Sequence, residues 1–151
     1  MRFGMNEIIY GQEHFADIWP DILDLTKLNG TASDLFDFPV EIDVETILQM
    51  ESDGMYKVFT MRVDTELVGH CHFMIYNHTH HLSMKVANQD VIFVKNGHRR
   101  HATNFVQYCD SELRKLGVHV VLQHSTRVKE WGPVLERIGY EKLETTYSRR
   151  L

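Results

Sequence analysis

The segment from Asp90 to Leu116 constrains this chain most. A short apolar strand, Val91-Ile92-Phe93-Val94, runs into a basic, glycine-containing turn, Lys95-Asn96-Gly97-His98-Arg99-Arg100-His101-Ala102, and then into an amphipathic helix. Phe105, Val106, Cys109, Leu113 and Leu116 mark one face of that helix, Gly117 supplies its stop, and Val118 to His124 reads as the next strand. Strand, helix and strand in that order form a parallel crossover. The turn carries a chemical expectation as well. The first N–H groups of a helix lack intrahelical partners and sit at the positive end of its dipole, so a phosphate-bearing ligand gains hydrogen bonds and favourable charge there. Arginines in the same turn add forked donors.

The residues before this unit read differently. From Gln12 to Leu28, Phe15, Ile18, Trp19, Ile22, Leu23 and Leu25 recur at helical spacing, with Pro20 marking a kink or a new first turn, so one helix or two short ones are expected. Asn29 to Asp34 is a loop by composition, and Asp43 precedes a second helical pattern, Val44, Ile47, Leu48 and Met50, that stops near Ser52-Asp53-Gly54. Tyr56 to Val63 and Glu66 to Tyr76 are β-rich runs parted by Asp64-Thr65, the spacing of a hairpin. His81 to Ala87 is a further strand or an irregular connection to Asp90. At the other end, a helix carrying Trp131, Val134, Leu135 and Ile138 ends at Gly139, and Tyr140 to Tyr147 is β-rich. The expected fold class is α/β (α+β): a mixed sheet with an antiparallel N-terminal meander and a parallel β-α-β core.

Composition narrows the class. A chain of 151 residues with 43% hydrophobic and 25% charged residues fits a single domain, 1–151, with a sizeable core. No apolar run approaches the ~20 residues that span a bilayer, and Met1 to Glu7 lacks a signal-peptide core, so a cytoplasmic protein without a membrane partner is expected. The net charge of −5 argues against wholesale nucleic-acid binding. Cys71 and Cys109, each flanked by core residues, read as a reduced, buried pair of thiols.

The order helix, helix, antiparallel strands, then strand, basic turn, helix, strand, helix, strand resembles the GNAT acyltransferase fold over essentially the whole chain. Val134-Leu135-Glu136-Arg137-Ile138-Gly139-Tyr140 is similar to that family's L-Y-E-K-L-G-F helix ending. The stretch His78-Thr79-His80-His81, the acidic Asp90 opening the next strand, and the tail Tyr147-Ser148-Arg149-Arg150-Leu151 resemble the small phage-encoded members. The resemblance implies acetyl-CoA as co-substrate. Its pantetheine arm would lie along Ile92, Phe93, Val94 and Lys95, and its pyrophosphate against the backbone of Gly97, His98, Arg99, Arg100, His101, Ala102 and Thr103, in the opening between the strands ending near Val94 and His124. The family turn reads R/Q-x-x-G-x-G/A; here only Gly97 and Ala102 are small, and Arg and His stand where glycines allow close approach to a pyrophosphate.

Acyl transfer from a thioester needs a deprotonated amine, a polarised carbonyl and a proton for the leaving thiolate. Asp90 stands where the family often places its base and would act through water; the plainer reading is an acid that flanks a strand. A backbone N–H between Phe93 and Lys95 is implied as the polarising group. The usual acid, a tyrosine, is replaced by Leu135, and Tyr147 or Tyr140 substitutes for it by residue type only. His70, His72, His78 and His80 are candidates for a substrate cleft, with solvated or core histidines as the alternative. They are not expected to bind a metal, because no Cys or carboxylate completes a ligand set. Two functions stand open, and a third, DNA-base modification on the same fold, would want more positive surface than a net charge of −5 suggests. One is an N-acetyltransferase acting by direct attack of a small-molecule or protein amine. The other is a GNAT fold without catalysis that binds a partner, in a phage virion or against a host protein, with a homo-oligomer compatible with either.

Overall fold

The computed structural model describes residues 7–29 and 40–151. From Gly30 on, the loop expected at Asn29 to Asp34 lies outside the described residues. The described chain forms β1 (Ile8–Glu13), α1 (Phe15–Asn29), α2 (Val44–Ser52), β2 (Tyr56–Val63), β3 (Glu66–His78), β4 (His81–Val94), a 3-10 turn (Arg99–His101), α3 (Ala102–Lys115), β5 (Val120–Leu122) and α4 (Gly132–Arg137). The five strands form one sheet in sequence order, antiparallel from β1 to β4 and parallel between β4 and β5. This is the mixed α/β architecture expected from the sequence.

Two clusters of apolar side chains cover the two sheet faces. Alternation along β2 sends Phe59, Met61 and Val63 to one face, where they meet Phe105, Cys109 and Leu113 of α3. Tyr56 and Val58 point to the other, against Phe15, Ile18, Ile22 and Leu25 of α1, with Ile47 and Leu48 of α2 packed alongside. Cys71 and Cys109 are free and fully buried in the first cluster.

Helix α1 is continuous through Pro20. A proline inside a helix costs about 3 kcal/mol and strips one carbonyl of its donor. Pro20 and Ala16 are both exposed, so water can reach the orphaned carbonyl, and the buried Phe15–Leu25 stripe holds the axis. The first turn of α1 is capped from a distance: the Glu51 carboxylate on α2 accepts from the N–H groups of Phe15 (2.5 Å) and Ala16 (3.2 Å). Asp43 caps α2 as expected, accepting from Thr46 N at 3.0 Å. The β2–β3 hairpin turns on Asp64 and Thr65, both at positive φ (49° and 72°), the geometry that matches the twist of the flanking strands. At the far end of the crossover, Gly117 adopts φ 82° after α3 and Gly139 φ 100° after α4.

Four expectations are corrected. Gln12 and Glu13 belong to β1, not to a helix, because the strand is fixed by pairing with β2 and by a forked Arg62–Glu13 ion pair (2.9 and 3.0 Å). His81 to Val94 is one strand, so Asp90 lies inside β4 and does not open it. The long antiparallel partner β3 carries the mixed-polarity residues 81–89 into the sheet, whatever their own propensity. The strand expected at Val118 to His124 shortens to Val120–Leu122. Tyr140 to Tyr147 forms no strand; it is exposed apart from Tyr140, whose hydroxyl donates to Asp110 at 2.6 Å.

Candidate active site

The site begins with an irregularity in β4. His72 pairs with Val91 and Phe73 with Gln89, leaving Asp90 opposite no residue of β3. This is a β-bulge, one extra residue that bends the strand and re-aims its side chains. Asp90 and Val91 are consecutive, yet both line the same cavity, which strict alternation forbids. Past the bulge, Phe93 continues on the cavity side and Ile92 packs against the α3 side.

The cavity holds about 200 Å³. Its apolar walls include Phe15 and Ile22 of α1, Ile47 of α2 and Phe93 of β4; its polar groups include His70, His72, Tyr56 and Asp90. These four form a chain of hydrogen bonds. Tyr56 Oη donates to Asp90 Oδ2 at 2.7 Å and lies 2.8 Å from His72 Nδ1, and His72 Nε2 lies 2.9 Å from His70 Nδ1. Tyr56 and His70 are each 1% exposed and His72 2%, whereas Asp90 is exposed. Burial, reinforced by the Lys129 charge, pushes His70 down to about 4, and burial with His70 alongside lowers His72 well below the ordinary imidazole value. Burial and the Asp90 carboxylate raise the Tyr56 phenol far above its usual value. Both imidazoles are therefore neutral at physiological pH and the phenol keeps its proton. His70 Nε2, the end of the chain, is buried and has no hydrogen-bond partner among the described residues.

On the other side of β4 the sheet opens. Pairing with β5 ends at Asn88–Leu122, and beyond it β4 has, among the described residues, no neighbouring strand on this side. Lys95 N–H donates to Val68 O of β3 at 2.7 Å, so alternation directs the backbone of Phe93 to β3 as well and that of Ile92 and Val94 toward the opening. Lys129 Nζ, from the segment after β5, donates to Ile92 O at 3.2 Å. Desolvation and the nearby Arg99 charge lower the Lys129 ammonium's pKa, so two cations share this edge. Further along, Ser125 Oγ accepts from Trp131 N and Gly132 N (3.0 and 3.1 Å) and caps the start of α4.

The basic turn is closed by its own backbone. His98 N–H donates to Lys95 O and His101 N–H to His98 O, both at 3.0 Å, and Gly97 takes φ 93°. Arg100 folds back to donate to Gly97 O at 2.7 Å, and Lys95 Nζ pairs with Glu66 at 2.7 Å. The 3-10 turn Arg99–His101 stands between the strand and α3, so Ala102 and Thr103 begin the helix one turn beyond the strand end.

The structure brings together Asp90, His70 and His72, and places Ile92 to Thr103 along the open edge and turn. It does not bring His78 and His80 to them. Those lie at the β3–β4 hairpin tip, six residues and ~20 Å along the strand from His72, where His80 N–H donates to His78 Nδ1. Tyr147 is 89% exposed in the irregular tail and does not line the cavity, and Leu135 is a buried core residue. His70 and His72 spend a nitrogen each on one another, and among the described residues no three His, Cys, Asp or Glu side chains could share a metal ion. Tyr56 is the residue that sequence reasoning missed. Only its cross-strand register with β3 reveals it, and a bulge at Val68, opposite the Met61–Arg62 step, shifts that register.

Neither the family models nor the curated sequences compared with the chain give a match. Solved structures do. A ribosomal-protein-alanine N-acetyltransferase from Brucella melitensis biovar Abortus superposes with a TM-score of 0.74 at 21% identity, covering 96% of this chain and 98% of that one. An aminoglycoside acetyltransferase from an uncultured soil metagenomic sample, in complex with trehalose, gives 0.72 at 13% identity, over 95% and 96% of the two chains. A predicted acetyltransferase from Clostridium acetobutylicum, with acetyl-CoA, gives 0.69 at 9% identity, over 95% and 96%. At these identities the likeness establishes architecture, and the architecture is the GNAT acetyltransferase fold.

Proposed function

We propose that this chain is an N-acetyltransferase that moves an acetyl group from acetyl-CoA to a primary amine by direct attack. The observation that carries the reading is the pairing of two features at one point of β4: an opened sheet edge on one side and, at the Asp90 bulge, a cavity on the other. The open backbone of Ile92 and Val94 suits an amide-bearing arm, and Arg99 with Lys129 suits a phosphate. Gly97 to Thr103 is the turn that would hold the pyrophosphate through side chains as much as backbone, since a Cβ at Gly97 would meet nothing within 4 Å. Acetyl-CoA, when bound, supplies the activated thioester. The residues of this chain hold the amine in the cavity that Asp90 lines, exclude water with Phe15, Ile22 and Phe93, and take up the proton the amine must lose.

The aminoglycoside acetyltransferase and ribosomal-protein-alanine N-acetyltransferase named for the similar structures support acetyl transfer to nitrogen as a class. A phage affinity would rest only on the sequence likeness of His78 to His81, Asp90 and the tail Tyr147 to Leu151. The test is turnover with a panel of primary amines, beside calorimetry with acetyl-CoA. Acetyl-CoA binding is expected, and Asp90→Asn should cut kcat by about 10²–10⁴-fold with little change in acetyl-CoA affinity. Equal activity of variant and parent across neutral pH removes Asp90 from the mechanism. The second reading, a binding protein without catalysis, has one observation in its favour: Lys129 already occupies Ile92 O on the open edge. Absence of acetyl-CoA binding would decide for it.

A further inference from the structure

We propose that His70 receives the proton of a small apolar amine seated in the cavity, and that His72 and Tyr56 hand it on to Asp90. The inference rests on the acetyltransferase reading for its place in a reaction, but the hydrogen-bond chain that carries it is independent of that reading. An ionised carboxylate can only accept, so the Tyr56 hydroxyl must donate to Asp90. The Tyr56 oxygen then accepts from His72 Nδ1–H. A neutral His72 with its proton on Nδ1 has a lone pair on Nε2, which accepts from His70 Nδ1–H. A neutral His70 with its proton on Nδ1 has a lone pair on Nε2. Donor direction is thereby fixed along all three bonds (2.7, 2.8 and 2.9 Å), and the exposed Asp90 charge makes the buried far end a proton acceptor.

That far end is the atom without a partner. Leaving a buried polar nitrogen unsatisfied costs about 1–3 kcal/mol, and such atoms are rare in folded proteins. His70 lines the cavity, and a ligand N–H that reached its Nε2 from there would restore the missing bond. Phe15, Ile22, Ile47 and Phe93 form apolar walls around it, which fit an amine with a hydrocarbon body.

The transfer balances. The amine's N–H bond breaks and its proton joins His70 Nε2. The His70 Nδ1 proton moves to His72 Nε2, the His72 Nδ1 proton to Tyr56 Oη, and the Tyr56 hydroxyl proton to Asp90. Both rings and the phenol end neutral, and the carboxylate becomes a carboxylic acid. The reverse shift hands the proton out again at His70 Nε2 to the leaving group and resets every tautomer. Concerted movement explains how a phenol held far from ionisation can take part, since no tyrosinate forms. The charged and titratable groups acting on the chain are Lys129, which disfavours a protonated His70, and Asp90, Glu51 and Cys71, which disfavour a charged Tyr56.

The decisive measurement is nitrogen NMR of the histidine side chains in the whole chain, first alone and then with 2-phenylethylamine. His70 and His72 should both carry their proton on Nδ1, and the amine should shift the His70 Nε2 resonance while leaving His72 Nε2 nearly in place. A proton on His70 Nε2 in the free protein, or no response to the amine, overturns the proposal. Neither result depends on acetyl transfer, so an inactive protein with the expected tautomers and amine response would count against the acetyltransferase reading and for the acceptor at His70. Tyr56→Phe keeps the ring and its packing but breaks the chain. It should lower kcat about 10²-fold at unchanged acetyl-CoA KM and flatten the pH–rate profile. Undiminished kcat in that variant overturns the hand-on to Asp90.

Discussion

His70 and His72 are neutral because they are shut away from water, and this ties their protonation to the folded state. An unfolded imidazole takes up a proton near the ordinary 6.5, whereas folded His70 resists it down to about 4. Between those values the unfolded chain binds a proton that the folded chain does not, so stability falls as pH drops from 6.5 toward 4 and is complete above 6.5. The shift corresponds to about 3 kcal/mol, a large share of a domain's net stability. Urea unfolding midpoints measured from pH 7 to pH 4 should fall accordingly, and His70→Gln should flatten much of that slope. A midpoint independent of pH over this range would mean that the two imidazoles are open to solvent. Alternation of His with apolar residues was enough to place His70 and His72 on one strand face. It could not tell a cleft from a core, and the structure makes them both: buried side chains that line a cavity.

The strand–turn–helix element shows how far sequence spacing reaches. The two arginines of the turn are neighbours with the same charge, and nothing in the sequence separates their roles. In the structure Arg100 is tied back to Gly97 O, while Arg99 stands beside Lys129 at the open edge. Arg99→Ala should therefore weaken acetyl-CoA binding by roughly 1–3 kcal/mol, the range for a charge-assisted contact, and Arg100→Ala by less. Calorimetry at low salt measures both, and equal losses would contradict the separation. The α3 stripe, the Asp43 cap and the Gly117 and Gly139 stops were all legible, because each is a local signal. The 3-10 turn ahead of α3 was not, nor was β1, whose bounds are set by pairing with β2 and by the Arg62–Glu13 fork.

At the scale of the whole molecule the sheet order was readable from the alternation of elements. The two places where its pairing fails were not. The Asp90 bulge exists only as a mismatch between β3 and β4, and the opening of the sheet only as the point where β5 stops following β4. Both are non-local, and together they make the site. The meeting of β4 and β5 has a further consequence. Among the described residues β5 pairs with β4 over a short run, Val86–Val120 to Asn88–Leu122, while β2 to β4 are joined along nearly their full length. Protection against exchange with deuterated water should follow the same division. Amides of Val120 to Leu122 should exchange through partial openings, and those in the middle of β3 only when the whole chain unfolds; uniform protection across the sheet would contradict this. Such a division would mark a seam along β5, one part breathing while the other stays locked, and the line of that seam would run beside the open edge of β4, where the proposed long, thin ligand would enter.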